Sequence, residues 1–189
     1  MRDEIKSYWE ERHTLQDEGV KSYDEYLSEK DQVVIEEFKE IEATVSSLNI
    51  RKCDILDIGG CKGYNLKFLF DDTNSKYLIH ISEKSVKYAK KYLGISNSYA
   101  IDFIHDDLPF NKSFDVITSF DVIEHIHPLE IQEFVKKIHG LLKPDGVVII
   151  TTPNILSLQN RVRIMLGKNP LFFVWDKTHI TPLTMTDLN

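Results

Sequence analysis

Residues 54–70 read DILDIGGCKGYNLKFLF. An apolar run from Ile55 to Ile58 meets a glycine cluster at Gly59, Gly60 and Gly63, and beyond it the apolar spacing changes period. Leu66, Leu69 and Phe70 stand at i, i+3 and i+4, so a helix follows the turn. A strand, a tight glycine turn and a helix, in that order, form the nucleotide-binding opening of a doubly wound α/β domain.

Outward from this opening, strand and helix signals alternate. Upstream, from Asp31, residues Val34, Phe38, Ile41, Val45 and Leu48 fall on one helical face, with Glu36, Glu37, Lys39 and Glu40 elsewhere, so this helix covers a face of the sheet. Downstream, Lys76 to Ile81 reads as the second strand. Ser82 is a good N-cap, Val86, Ala89 and Leu93 give the next helix its buried stripe, and Gly94 ends it. Tyr99 to Ile104 is expected to be the third strand and, after the turn-forming DDLPFNKS, Phe114 to Phe120 the fourth. From Pro128 to Leu142 a helix carries Ile131, Phe134, Val135, Ile138, Leu141 and Leu142 on one face, until Lys143 to Gly146 break it. Val147 to Thr151 supplies a fifth strand whose almost unbroken apolar run suits a parallel sheet buried on both faces. The class is therefore α/β, with helices on both faces of the sheet.

Both flanks are less regular. Residues 1–30 are polar, with Tyr8, Trp9, Tyr23 and Tyr26 among charges, and read as a surface helix and loop packed on the domain, or as a lid over a small-molecule site. Toward the other end, Ile155, Leu158, Val162 and Met165 keep helical spacing beside Arg161 and Arg163, Gly167 stops it, and LFFVW follows at 171–175. Interior packing is the expectation for 155–175, and an interfacial helix touching a membrane is the alternative.

At 189 residues the chain suits one domain. Hydrophobic residues at 42% and charged residues at 28% are ordinary for a globular protein and indicate neither disorder nor a membrane span. No run approaches the roughly 18 apolar residues of a spanning helix, and MRDEIKSYWEE lacks the features of a signal or transit peptide, so a cytoplasmic protein is expected. A net charge of -7 argues against bulk binding to nucleic acid or anionic membrane. Cys53 and Cys61 are too few and too far apart for a zinc pattern or a redox pair, and read as reduced thiols.

Three stretches, taken together, resemble the class I S-adenosylmethionine-dependent methyltransferases, especially the small-molecule branch that includes the ubiquinone-biosynthesis O-methyltransferases. ILDIGGCKG at 55–63 is similar to the family's first motif, DLPFNKSFDVITSFDVIEHI at 107–126 to its LPF, FD and EH elements, and LLKPDGVVIITTPN at 141–154 to its LKPGG turn and fifth strand. One glycine turn is common to many nucleotide folds, whereas three motifs in order are specific. The resemblance implies a Rossmann-like sheet, S-adenosylmethionine as cofactor with S-adenosylhomocysteine as product, and methyl transfer to a small-molecule acceptor, at oxygen. It divides the chain into a helical cap or lid at 1–48, a cofactor-binding core at 49–154, and an acceptor-side insertion with the start of another helix at 155–189. The family's C-terminal antiparallel hairpin is expected to be missing, which exposes the fifth strand's edge and invites a homodimer.

The resemblance also assigns a site. Gly59, Gly60 and Gly63 let the backbone approach the cofactor, and Asp57 corresponds to the acid that helps hold its amino-acid part. Where the family has an acid gripping the ribose hydroxyls this chain has His80, which can accept one hydrogen bond and donate one. Asp102 with Phe103 corresponds to the pair around the adenine, with Asp106 as the alternative acid. Ser119, Phe120 and Asp121 face the methionine and methyl ends, and His125 is the candidate general base for a hydroxyl acceptor. His179, in DKTHITPLT, could reach over the substrate. Glu124, His125, His127 and Asp121 have the side chains of a divalent-metal site, but no metal is expected. Cys61 stands where the family has glycine, and together with His80 it motivates the rival reading, a catalytically weak module with an interaction or regulatory role.

Overall fold

The computed structural model describes residues 2–12, 20–48, 50–70, 75–176, 178–184 and 186–187, with backbone only for Arg2, Asp3 and Trp175. Three helices, α1 (Arg2–Arg12), α2 (Tyr23–Ser28) and α3 (Gln32–Ser47), precede β1 (Asp54–Ile58). There follow α4 (Tyr64–Leu69), β2 (Ser75–His80), α5 (Glu83–Leu93), β3 (Asn97–Ala100), β4 (Phe114–Phe120), α6 (Ile131–Leu141), β5 (Leu142–Thr151), α7 (Leu158–Met165) and α8 (Leu171–Trp175). The strands form one parallel sheet, as the sequence leads one to expect, and their order is β3-β2-β1-β4-β5.

The alternation of β1 divides the core in two. Ile55 packs with Val45 of α3, Leu66 of α4, and Leu78 and Ala89 on one face of the sheet. Leu56 and Ile58 point the other way, to Ile117, Phe134 and Ile138. Each such fully buried aliphatic side chain contributes about 1.5–3 kcal/mol. At the sheet's amino end, Lys143 reaches Asp54 at 3.1 Å and Asp115 at 2.8 Å, tying β1, β4 and β5 together away from the cavity.

Four expectations are corrected. The third strand ends at Ala100, because the Asp102 carboxylate accepts the N–H groups of Ile104 (3.1 Å) and His105 (3.3 Å) and turns the chain out of the ladder. Pro128–Glu130 is a 3₁₀ turn, and α6 starts only at Ile131. β5 begins at Leu142 with a register shift opposite Phe114/Val116, and Val147 and Val148 are exposed because it is an edge strand. Interior packing of 155–175 holds for Phe172, which is fully buried, but not for Leu158 (79% exposed) or Met165 (86%). Among the described residues no hairpin follows β5, and no helix is long and apolar enough to cross a membrane.

The N-terminal helices lie against the carboxyl ends of the strands. Lys84 Nζ donates to the carbonyl of Glu10 at 2.7 Å, and the Glu10 carboxylate accepts the Glu83 N–H at the start of α5. From the same helix, the Tyr8 hydroxyl and Arg12 donate to Asp176.

Candidate functional site

A cavity of about 700 Å³ opens at the carboxyl ends of the strands, walled by the loops after β1 to β4, by α1 to α3, and by Asp176 and His179. β1 lies between β2 and β4, so the strand order reverses there and the loops splay apart into a crevice. Gly59 has φ +80°, and a Cβ on it would overlap Val122 Cγ2 of the β4 loop; a Cβ on Gly60 would overlap Asp57 Oδ2. Glycine therefore lets the two loops close together and leaves bare backbone on the cavity wall. Cys61, also on the wall, takes φ +48°, a left-handed conformation that explains why a glycine suits this position.

Asp57, Gly63 and Ser119 lie behind the wall rather than on it. A Cβ on Gly63 would come within 2.7 Å of Ile95 Cδ1, so that glycine serves the packing of α4. Asp57 is fully buried, with Oδ1 accepting the Thr118 hydroxyl at 2.8 Å and Oδ2 without a partner among the described residues. Burial pushes its carboxyl up to about 7.

His80, Asp102, Phe103 and Phe120 do line the cavity. His80 Nδ1 accepts the Ser82 N–H at 3.0 Å, so a neutral ring carries its proton on Nε2 and acts there as a donor rather than in both functions. The Asp102 carboxylate is also 3.0 Å from His105 Nδ1, and His105 Nε2 is 2.9 Å from Glu130. The hydrogen bond that His105 makes to the Asp102 carboxylate raises the His105 pKa. Phe103 is buried edge-on against Phe134. Asp106 instead accepts the Asp102 N–H at 2.9 Å and lies off the wall.

At the other end of the cavity, His125 Nδ1 lies 2.8 Å from Thr178 Oγ1, and that hydroxyl donates to Asp176 Oδ1 at 2.7 Å. Nδ1 is therefore the donor, and Nε2 keeps the lone pair. Burial and the neighbouring His179 push the His125 pKa down to about 4, so the ring is neutral at pH 7. Burial alone would raise the Asp176 pKa, but hydrogen bonds from Thr178, Arg12 and Tyr8 hold it well below the usual carboxylate range. Trp9 stands edge-on to both His80 (5.8 Å) and His125 (5.4 Å), bridging the two ends.

Glu124 has no exposed surface, and neither of its carboxylate oxygens has a hydrogen-bond partner among the described residues. Burial first, and Asp121 second, push its pKa up to about 8. His179 Nδ1 donates to the Phe172 carbonyl at 2.7 Å, and its Nε2 is 3.9 Å from Glu124 Oε1. Asp121 opens onto the cavity at φ +53°, its Oδ1 accepting from Thr151 Oγ1 at 3.1 Å. Glu37 of α3 also lines the cavity, its pKa pushed up to about 7 by burial and by Asp121. His127 is elsewhere, capping the 3₁₀ turn by accepting the Leu129 N–H at 3.3 Å.

Sequence reasoning overlooked Arg12, Glu37, Asp176 and Thr178. For Glu37 a signal existed: it follows Val34 at i+3 and so lies within the apolar stripe of α3.

A model of the methyltransferase domain family matches residues 56–150, from the middle of β1 to the end of β5. The chain belongs to the class I S-adenosylmethionine-dependent methyltransferase family. Among this methyltransferase's relatives is a ubiquinone biosynthesis O-methyltransferase of Rickettsia canadensis, 31% identical over 144 residues, 74% of this chain and 59% of the relative. An uncharacterized protein of Methanocaldococcus jannaschii is 29% identical over 168 residues, 87% of this chain and 58% of that protein. The chain thus spans less than two thirds of the length of these relatives. A crystal structure of a SAM-dependent methyltransferase from Archaeoglobus fulgidus superposes with TM-score 0.59 at 22% identity, over 80% of this chain and 65% of that one, a likeness of fold.

The residues present fit S-adenosylmethionine, the family's cofactor. About 700 Å³ lies within the range of small-molecule sites. The bare backbone at Gly59 and Gly60 allows close approach, and Phe103 offers an apolar surface for a ring.

Proposed function

We propose that this methyltransferase moves the methyl group of S-adenosylmethionine to a hydroxyl of a small phenolic acceptor, with His125 activating that hydroxyl. The observation that carries this reading is the fixed tautomer of His125, whose ring lines the same cavity as the glycine loop. The relatives named O-methyltransferases support an oxygen acceptor.

When bound, the cofactor supplies a sulfonium methyl, and the protein's part is placement. The Gly59–Cys61 backbone, Phe103 and Asp102 hold the nucleoside and amino-acid parts, and His80 donates from Nε2 to a ribose oxygen. Alignment of donor and acceptor lowers the barrier by ~7–11 kcal/mol, and a positioned base adds ~10²–10⁴-fold. His125 takes the hydroxyl proton at Nε2, and the positive charge that forms on the ring is balanced through Thr178 by Asp176. Trp9 and the helices of residues 1–48 act as the cap that keeps water out, and 155–189 shapes the acceptor side.

Calorimetry with S-adenosylhomocysteine, together with labelled-methyl transfer to a panel of phenols, tests this reading. Expected are micromolar-range binding and transfer that falls at least 100-fold in His125→Asn with binding retained. Absence of binding at millimolar ligand overturns the proposal, and binding without transfer to any acceptor favours the non-catalytic rival.

A further inference from the structure

We infer that Glu124, His125 and His179 form a site for a divalent transition-metal cation at the acceptor end of the cavity. This deepens the proposed function and rests on its reading of that end as the place where the hydroxyl sits.

One ligand atom from each of the three side chains lies within 4.8 Å of the other two. Ligands about 2.0–2.2 Å from a shared ion stand roughly 3–3.5 Å apart, so side-chain rotations on the order of 1 Å complete the set. Proximity alone would carry little. The second observation is Glu124: fully buried, with both oxygens lacking a hydrogen-bond partner among the described residues, and with His179 Nε2 at 3.9 Å from one of them. A buried carboxyl left in that condition costs several kcal/mol unless something satisfies it. The Thr152 hydroxyl lies near enough to lower the Glu124 pKa but makes no well-formed hydrogen bond to it, whereas a cation satisfies both oxygens.

The third observation is how the imidazoles are held. His179 gives its Nδ1–H to the Phe172 carbonyl at 2.7 Å, and His125 gives its own to Thr178 Oγ1 at 2.8 Å. Each is thereby locked with its lone pair on Nε2, the arrangement in which outer hydrogen bonds orient metal-ligating histidines. Two imidazoles and one carboxylate suit manganese, iron, cobalt or zinc better than calcium or magnesium. Asp121 and Glu37 bring further carboxyl groups to the same end of the cavity, so a divalent cation also relieves the crowding of like charge. In this refinement the His125 lone pair goes to the ion instead of to the hydroxyl proton, the ion seats the acceptor oxygen, and that proton leaves to the Asp121 carboxylate on the cavity wall.

The test uses the full chain, stripped with chelator and titrated with Co²⁺, followed by visible d–d absorption and by calorimetry. Expected is one Co²⁺ per chain, bound at least tenfold more weakly in Glu124→Gln and in His179→Gln, while His127→Ala, off the cavity, matches the parent. S-adenosylhomocysteine binding is measured on every sample. Retained cofactor binding shows that a variant is folded. The site is refuted if Co²⁺ fails to bind at millimolar concentration, or binds the parent and both ligand variants alike. Loss of cofactor binding in a parent that still takes one Co²⁺ would overturn the proposed function and leave the metal site standing.

Discussion

Thr178 and His125 are joined by a hydrogen bond of 2.8 Å, and the hydroxyl passes its own proton toward Asp176 at 2.7 Å. This relay fixes the imidazole's tautomer with an uncharged residue between ring and carboxylate. Thr178→Val keeps the side-chain shape and removes the relay, so turnover should fall ~10–100-fold while S-adenosylhomocysteine affinity is unchanged. Thr178→Ser should restore most of it. Equal loss in both variants in a steady-state assay would show that the hydroxyl is not what matters.

Two glycines give opposite outcomes for the same substitution. Gly60→Ala drives a methyl into the Asp57 carboxylate, and cofactor affinity by calorimetry should drop more than tenfold. Gly140→Ala, in α6 with nothing near its Cβ, should stabilise the fold by about 0.5–1 kcal/mol. An unchanged affinity in Gly60→Ala would dissociate the loop from the cofactor.

Cys61 adopts φ +48°, which costs an L-residue roughly 1–2 kcal/mol, while glycine there costs about 0.5–1 kcal/mol in lost chain entropy. Cys61→Gly should therefore raise stability by about 0.5–1 kcal/mol, a melting point higher by about 1–3 °C. A lower melting point would mean that the thiol's packing outweighs the strain.

Asp57 links stability to pH. Its folded pKa, near about 7, stands above the ordinary value of about 3.9, so the folded chain holds a proton that the unfolded chain has released. This contribution is fully present below about pH 4 and is lost as pH rises to about 7. Melting points across this window should decline more steeply for the parent than for Asp57→Asn; parallel curves would rule the linkage out.

What could be read from the sequence follows from what is local. The bounds of β4, Phe114–Phe120, are legible because turn-forming residues precede an apolar run and its neighbours in sequence suffice to define it. β3 was misplaced because one side chain, Asp102, competes with the ladder for backbone N–H groups, which no periodicity records. The motif order placed the glycine loop, His80 and His125 around one cavity. Arg12 and Asp176 stayed hidden, since their contact spans 164 residues and no local pattern pairs them. Leu158 and Met165 have the spacing of a buried helix face, and spacing cannot say whether anything packs on it.

The position of Trp9 bears on timing. Its ring stands against His80 at the cofactor end and against His125 at the acceptor end, on a helix pinned to α5 through Glu10 and to Asp176 through Tyr8 and Arg12. A helix so placed would gate both ends at once, and departure of the methylated acceptor and of the spent cofactor would then share one unlatching event. Turnover should then slow with solvent viscosity and quicken in Arg12→Ala, and a rate indifferent to both would assign the slow step to the chemistry. One short helix would set the pace of the whole cycle without touching the bond that is made.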